Sequence, residues 1–188
     1  MIHKNGFIYI LGGENTRTGK KTASNSVYVF DSRLFEMNEL SGMNTARTHF
    51  AACEVNGKIY VFGGRNERGI LRECEVFDIK ANTWSKIRSL SKPRCCHAAS
   101  AIGSDIFLSG GYIQEASNIS KYTKSILSYA TKCNLWQDVG DLITARGWHQ
   151  MVSHGSYAYI VGGCYQVMEI SKAILIHLNT SFFVELLK

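Results

Sequence analysis

The sequence predicts an all-β protein: a β-propeller of about four four-stranded blades forming an incomplete ring. Three observations predict it. A short aromatic and β-branched run ending in a glycine pair occurs four times, as Phe7-Ile8-Tyr9-Ile10-Leu11-Gly12-Gly13, Lys58-Ile59-Tyr60-Val61-Phe62-Gly63-Gly64, Asp105-Ile106-Phe107-Leu108-Ser109-Gly110-Gly111 and Tyr157-Ala158-Tyr159-Ile160-Val161-Gly162-Gly163. The leading glycines stand at 12, 63, 110 and 162, so the intervals are 51, 47 and 52 residues, a period typical of repeat architectures. Other residues keep step with the pairs. Arg47, Arg94 and Arg146 each precede a leading glycine by 16 residues, Met37, Trp84 and Trp136 precede those arginines by 10, and Phe30, Phe77 and Tyr129 come 7 earlier again.

Each unit reads as four strands. The first follows the arginine (49–55, 97–102, 148–153), and the second ends at the glycine pair. The third ends at the aromatic (27–30, 73–77, 125–129, 173–177), and the fourth carries the Trp or Met position. Asn56-Gly57, Gly103-Ser104 and Gly155-Ser156 are hairpin-turn dipeptides between the first and second strands. The second strands have no polar face, so they are expected to be buried on both sides. A lone four-stranded sheet cannot hide two apolar faces, whereas radial stacking of several sheets can. The blade units run approximately 1–45, 46–92, 93–144 and 145–188; the first is expected to lack most of its opening strand and the last to be degenerate. An open arc of this kind exposes strand edges and apolar blade faces.

Composition sets limits. The 188 residues are 45% apolar and 19% charged with one proline, Pro93, which fits a single folded domain and argues against extensive disorder. No apolar stretch approaches the ~20 residues of a membrane-spanning helix, and Phe7 to Leu11 is too short for a secretory signal core. Six cysteines without a Cys-x-x-Cys spacing fit a reduced, cytoplasmic protein. Asn118-Ile119-Ser120 and Asn179-Thr180-Ser181 match the glycosylation pattern but are read as chance. The net charge of +6 leaves nucleic acid or an acidic protein partner open.

The glycine pair after an apolar strand, the aromatic-Asp pairs Phe30-Asp31 and Phe77-Asp78, the Trp seven residues after the aromatic, and the following Arg with a nearby His together resemble the kelch repeat, in particular that of BTB-kelch proteins. Met37 in place of Trp, Ala130 in place of Asp, and a fourth unit without a clear aromatic or Trp depart from the pattern. The resemblance implies a non-enzymatic protein-binding module, the substrate-recognition part of an adaptor for a cullin-RING ubiquitin ligase, without the BTB and BACK domains. The alternatives are an actin- or cytoskeleton-binding kelch protein and a propeller-fold carbohydrate oxidase or isomerase.

The step from glycine pair to aromatic is the elastic one, at 18, 14 and 19 residues, so the variable loops share one face with the arginine-bearing connections. The first loop carries Arg17, Lys20 and Lys21, the second Arg65, Arg68 and Arg72, and the third Lys121 and Lys124. Arginine forks suit carboxylates, which makes an acidic peptide segment the expected partner, with no nucleic acid and no membrane. Arg47, Arg94 and Arg146 can serve that surface or brace the scaffold. The resemblance places the residue after each glycine pair and the second residue after each arginine against the ligand. The candidate contacts are therefore Arg65, Asn66, Arg68, Arg72, Tyr112, His49, Cys96 and Trp148. No cofactor, metal or catalytic group is expected. The cysteines and histidines lack paired ligand spacing, Cys95-Cys96-His97 fails as a nucleophile and base because adjacent strand residues point to opposite faces, and no phosphate-binding glycine motif opens a helix.

Overall fold

A computed structural model describes the chain apart from residues 17, 18, 20, 116–119, 166–168, 171–173, 180, 181, 187 and 188; from residue 165 onward only backbone is described. Arg17 and Lys20 of the first loop, Asn118 and Ile119 of one glycosylation motif and Thr180 and Ser181 of the other thus lie outside the described residues, as does Ala173, the expected start of a third strand. Among the described residues there is no helix, and four antiparallel four-stranded sheets follow one another along the chain. The first comprises Ile2–Lys4, Phe7–Leu11, Val27–Asp31 and Glu36–Leu40; its opening strand has three residues where the others have five. The second comprises Ala51–Val55, Lys58–Phe62, Cys74–Asp78 and Thr83–Ile87. The third comprises Ala98–Ile102, Asp105–Ser109, Ser125–Ala130 and Leu135–Asp141, and the fourth Gln150–His154, Tyr157–Val161, Ile174–Asn179 and Phe182–Leu186.

In each sheet the strands pair in chain order, as consecutive hairpins require. Asn56 and Gly57 both take positive φ, 51° and 79°, which gives the tight turn its right-handed match to the strands. The first strands of the second, third and fourth sheets lie side by side. Their small residues, Ala51, Ala52 and Cys53 in one and Ala98, Ala99 and Ser100 in the next, permit that approach near the axis.

The core consists of the layers between blades. Tyr9, Leu11 and Val27 of the first meet Ile59, Val61 and Phe77 of the second. Tyr60, Phe62 and Cys74 of the second meet Ile106, Leu108 and Tyr129 of the third, and Ile126 of the third meets Met151, Ala158 and Ile160 of the fourth. Lys58–Phe62 is buried on both faces from Ile59 onward, as the absence of a polar side predicts. Tyr157–Val161 alternates instead: Tyr157, Tyr159 and Val161 face outward at 41%, 37% and 49% exposure.

The leading glycines show why no side chain is tolerated between blades. A Cβ at Gly63 would lie 2.3 Å from the carbonyl oxygen of Arg94, and one at Gly110 2.4 Å from that of Arg146. Both positions also take positive φ, which a side chain disfavours. A Cβ at Gly162 would meet no described atom within 4 Å.

A second interblade device was not read from the sequence. Asn82, at φ 54° in the turn before the fourth strand, accepts the backbone N–H of Ser41 at 2.9 Å, while the Trp84 indole donates to the Ser41 carbonyl at 2.8 Å. One blade later Asn134 accepts from Arg88 N–H at 2.7 Å, and Trp136 donates to the Arg88 carbonyl at 2.8 Å. Each Asn-x-Trp therefore clips both polar groups of one residue in the preceding blade. In the first unit the same register holds Phe35-Glu36-Met37, and Met37 is 62% exposed.

The three phased arginines brace the scaffold. Arg47 is fully buried, donating to the carbonyls of Gly63 at 2.6 Å and Glu73 at 2.8 Å and to the Glu75 carboxylate at 2.6 Å. Arg94 donates to Gly110 O at 3.0 Å and to the Ser125 hydroxyl at 2.7 Å, and Arg146 to Gly162 O at 3.0 Å. The sixteen-residue spacing is thus the span from a guanidinium to the carbonyl of the leading glycine in its own blade.

His97 and His149 occupy the position of Phe50, three residues after the arginine, and are buried. Burial, with Arg146 adding, pushes His149 down to about 4, and burial with Arg94 holds His97 well below the usual imidazole range. In the unfolded chain both titrate near 6.5. The unfolded state therefore takes up protons first as pH falls, and stability present above about 6.5 is lost toward about 4. Between pH 7 and pH 5 the His149 contribution is a loss of about 2 kcal/mol. Urea unfolding at the two pH values should show it. His149→Phe, copying Phe50, should flatten the dependence; an unchanged slope in that variant would assign it to other groups.

Candidate functional site

The connections that vary in length project from one face as small hairpins: Glu14–Asn15 with Thr22–Ala23, Arg65–Asn66 with Gly69–Ile70, Tyr112–Gln114 with Ser120–Tyr122, and Cys164–Tyr165 with Glu169–Ile170. Each starts directly after a glycine pair, and the last three are hydrogen-bonded to the segment after an arginine. Thr48 bridges Arg65, Cys95 pairs with Tyr112, and Gly147 bridges Cys164. The two residue sets that the resemblance assigns to the ligand are therefore neighbours on that face.

The second residue after each arginine adopts a left-handed backbone, with φ of 55° at His49, 56° at Cys96 and 60° at Trp148. Neighbours in this set are linked: Cys96 N–H donates to His49 O, and Trp148 N–H donates to Cys96 O, both at 2.8 Å. That chain of bonds stitches three blades together around the axis and gathers the side chains. The His49 and Trp148 rings meet edge to face at 4.7 Å between centroids. Left-handed geometry costs a non-glycine residue roughly 1–2 kcal/mol, and His, Cys and Trp have no common preference for it, so the sequence carried no signal for it.

A cavity of about 640 Å³ opens here, lined by Arg65, Cys95, Cys96, Tyr112, Tyr122 and Trp148 among others. Four of the eight expected contact residues, Arg65, Cys96, Tyr112 and Trp148, line it, and His49 reaches it through Trp148. Tyr112 and Tyr122 meet edge to face at 5.3 Å, and the Tyr122 hydroxyl lies 3.5 Å from the Cys164 thiol. That thiol pushes Tyr122 up to about 12, and burial assists. Burial and the nearby Arg65 guanidinium lower the pKa of His49, which leaves it neutral beside a fixed positive charge. Asn66 is tied to the scaffold, donating to Ala46 O at 3.1 Å and accepting from Arg68 N–H at 3.0 Å. It shapes the hairpin from which Arg65 and Arg68 project. Arg72 lines a different cavity, with Arg88, Trp136 and Asp138.

Three loop lysines are already engaged by acids, Lys21 with Glu14, Lys121 with Glu115 and Lys124 with Asp141, each at 3.0 Å. One expectation is corrected. Adjacent residues of an extended strand point apart, but positive φ at Cys96 turns its thiol back to 3.7 Å from that of Cys95. All six cysteines are free. Among the described residues no group of three or more His, Cys, Asp or Glu is arranged to hold a metal ion.

Comparison with known proteins places this architecture. The KLHDC2/KLHL20/DRC7 Kelch-repeats domain matches residues 1–185. The chain belongs to the kelch-repeat family. Relatives sharing the kelch repeats include Kelch-like protein 36 of Mus musculus, 33% identical over 87% of the chain and 26% of that protein. Spermatocyte protein spe-26 of Caenorhabditis elegans is 31% identical over 84% of the chain and 28% of its own length. Kelch-like protein 15 of Homo sapiens is 22% identical over 89% of the chain and 30% of its own length. The kelch chain thus spans between a quarter and a third of these relatives. Its sheets are those of a partial kelch propeller, and its family marks it as a protein-interaction module.

Proposed function

We propose that the chain is a non-enzymatic binding module that holds an acidic peptide segment in the cavity where Arg65, Tyr112, Tyr122 and Trp148 converge. The observation that carries this reading is the position of Arg65, an exposed guanidinium at the wall of an aromatic-lined concavity on the face that bears every variable hairpin. A guanidinium supplies paired donors for a carboxylate, while the aromatic rings supply apolar contact at low entropic cost. Backbone strain at His49, Cys96 and Trp148, maintained in three successive blades, supports the same location, because such strain tends to persist where it positions functional groups. Within a longer cytoplasmic polypeptide of the BTB-kelch type, this face would select the substrate of a ubiquitin ligase.

The test is titration of synthetic acidic, neutral and basic peptides of equal length by fluorescence anisotropy. Acidic peptides should bind most tightly, and the affinity should fall with added salt. Arg65→Glu should weaken acidic-peptide binding about tenfold or more, a change of ~1.4 kcal/mol. Arg72→Glu, placed at the other cavity, should leave binding within twofold. Equal effects of the two reversals would remove the cavity from the account.

A further inference from the structure

We propose that Cys95 and Cys96 form a vicinal dithiol site that captures a single trivalent arsenical, one arsenic atom bridging both sulfurs at the wall of the aromatic cavity. The site shares that cavity but does not depend on the acidic-peptide reading, because its test contains no peptide.

The geometry rests on the left-handed residue. In ordinary strand geometry neighbouring side chains diverge. Here φ of 56° at Cys96 swings its Sγ to 3.7 Å from the Sγ of Cys95. The strain is supported from both sides, since Cys96 N–H donates to His49 O and Cys96 O accepts from Trp148 N–H. Cys95 is fixed in turn by pairing with Tyr112. The two sulfurs are therefore brought together before any ligand arrives, and a bidentate ligand gains from that preorganisation.

Chemical access and reactivity agree with the placement. Both cysteines line the 640 Å³ cavity, and Cys96 is partly exposed. The thiol of Cys96 donates to Cys95, which, with Arg65 adding, holds Cys95 below the usual thiol range; the same bond and burial raise Cys96 well above it. Cys95 itself is 3% exposed, so its sulfur is reached only from the cavity wall that it shares with Cys96. A bridging atom suits this pair better than a disulfide does. Adjacent Cα atoms are ~3.8 Å apart across a trans peptide, short of the ~4.4–6.8 Å that disulfides favour, so direct closure strains the backbone, whereas a bridge leaves it in place. Soft thiolate ligands select soft acceptors. The step balances without an oxidant: two thiols and an organoarsenic(III) oxide give two S–As bonds, and the two thiol protons leave with the oxide oxygen as water.

Phenylarsine oxide added to the folded full chain tests the site by intact mass spectrometry. The expected result is one phenylarsenic adduct that survives a hundredfold excess of 2-mercaptoethanol and is stripped by 2,3-dimercaptopropanol. Cys96→Ser and Cys96→His should both lose monothiol-resistant retention by at least tenfold. The histidine variant copies His49, which occupies the same left-handed register one blade earlier, so the fold has a precedent for it. Cys133→Ser and Cys164→Ser should retain the adduct. The proposal is overturned if the unaltered chain forms no resistant adduct, if either Cys96 variant keeps it, or if Cys133 or Cys164 is required for it.

Discussion

Arg47→Ala is expected to lower the unfolding free energy by ~3–5 kcal/mol, the cost of leaving one partner of a buried ion pair without the other. The size follows from what the substitution strands. Glu75 is 1% exposed, and its carboxylate also accepts Asn44 N–H at 2.8 Å, the Asn44 amide at 2.7 Å and Thr45 N–H at 3.1 Å. Without the guanidinium this charge stays buried, and the carbonyls of Gly63 and Glu73 lose their donor as well. Domains of ordinary size have ~5–15 kcal/mol in total, so the loss should be evident in a urea titration at neutral pH. The double variant Arg47→Met with Glu75→Leu should recover a substantial part of it, since Leu127 already stands at the Glu75 register of the third blade. A single-variant loss below about 1 kcal/mol would mean that water reaches the pair.

Trp84→Ala should be comparably costly, at ~3–5 kcal/mol. The ring packs on Phe77 at 5.0 Å between centroids and belongs to the apolar layer between the first two blades, and its indole N–H holds the Ser41 carbonyl of the preceding blade. Truncation therefore opens a cavity at an interface and leaves a backbone acceptor without its donor. Met37→Ala, the same register one unit earlier on an exposed side chain, should change stability by no more than ~0.5 kcal/mol. Thermal or urea unfolding of the two variants side by side checks the contrast. Equal losses would show that the recurring spacing, rather than the interblade contact, sets the energy.

The fold was legible because its strongest constraints repeat. A leading glycine facing the carbonyl of the next blade and an arginine bonded to that glycine's own carbonyl are enforced by backbone distances, so their spacing survives even where the side chains around them vary. The Asn-x-Trp clip went unread for the opposite reason. Among the described residues only Asn82 and Asn134 display it, and an asparagine in a turn is ordinary until its partner one blade away is seen. The site was half legible. Position in the repeat placed Arg65, Cys96, Tyr112 and Trp148 on one face, whereas the convergence of their side chains depends on positive φ at residues of unrelated chemistry. Arg72 shows the limit: its loop was identified correctly, but its side chain turns to another cavity, and sequence order carries no direction at that scale.

The arc also has polarity. At its last blade a Cβ built on Gly162 would meet no described atom within 4 Å, and Tyr157, Tyr159 and Val161 are exposed on the same strand; at its first blade a Cβ on Gly13 would likewise meet none. These two margins are not alike, since Gly162 is the member of its pair that elsewhere receives the following blade and Gly13 the member that elsewhere rests on its own. The contact that each margin lacks is therefore a different one: at Gly162 it is the arginine carbonyl that opens a following blade, and at Gly13 it is the segment after an arginine in its own blade.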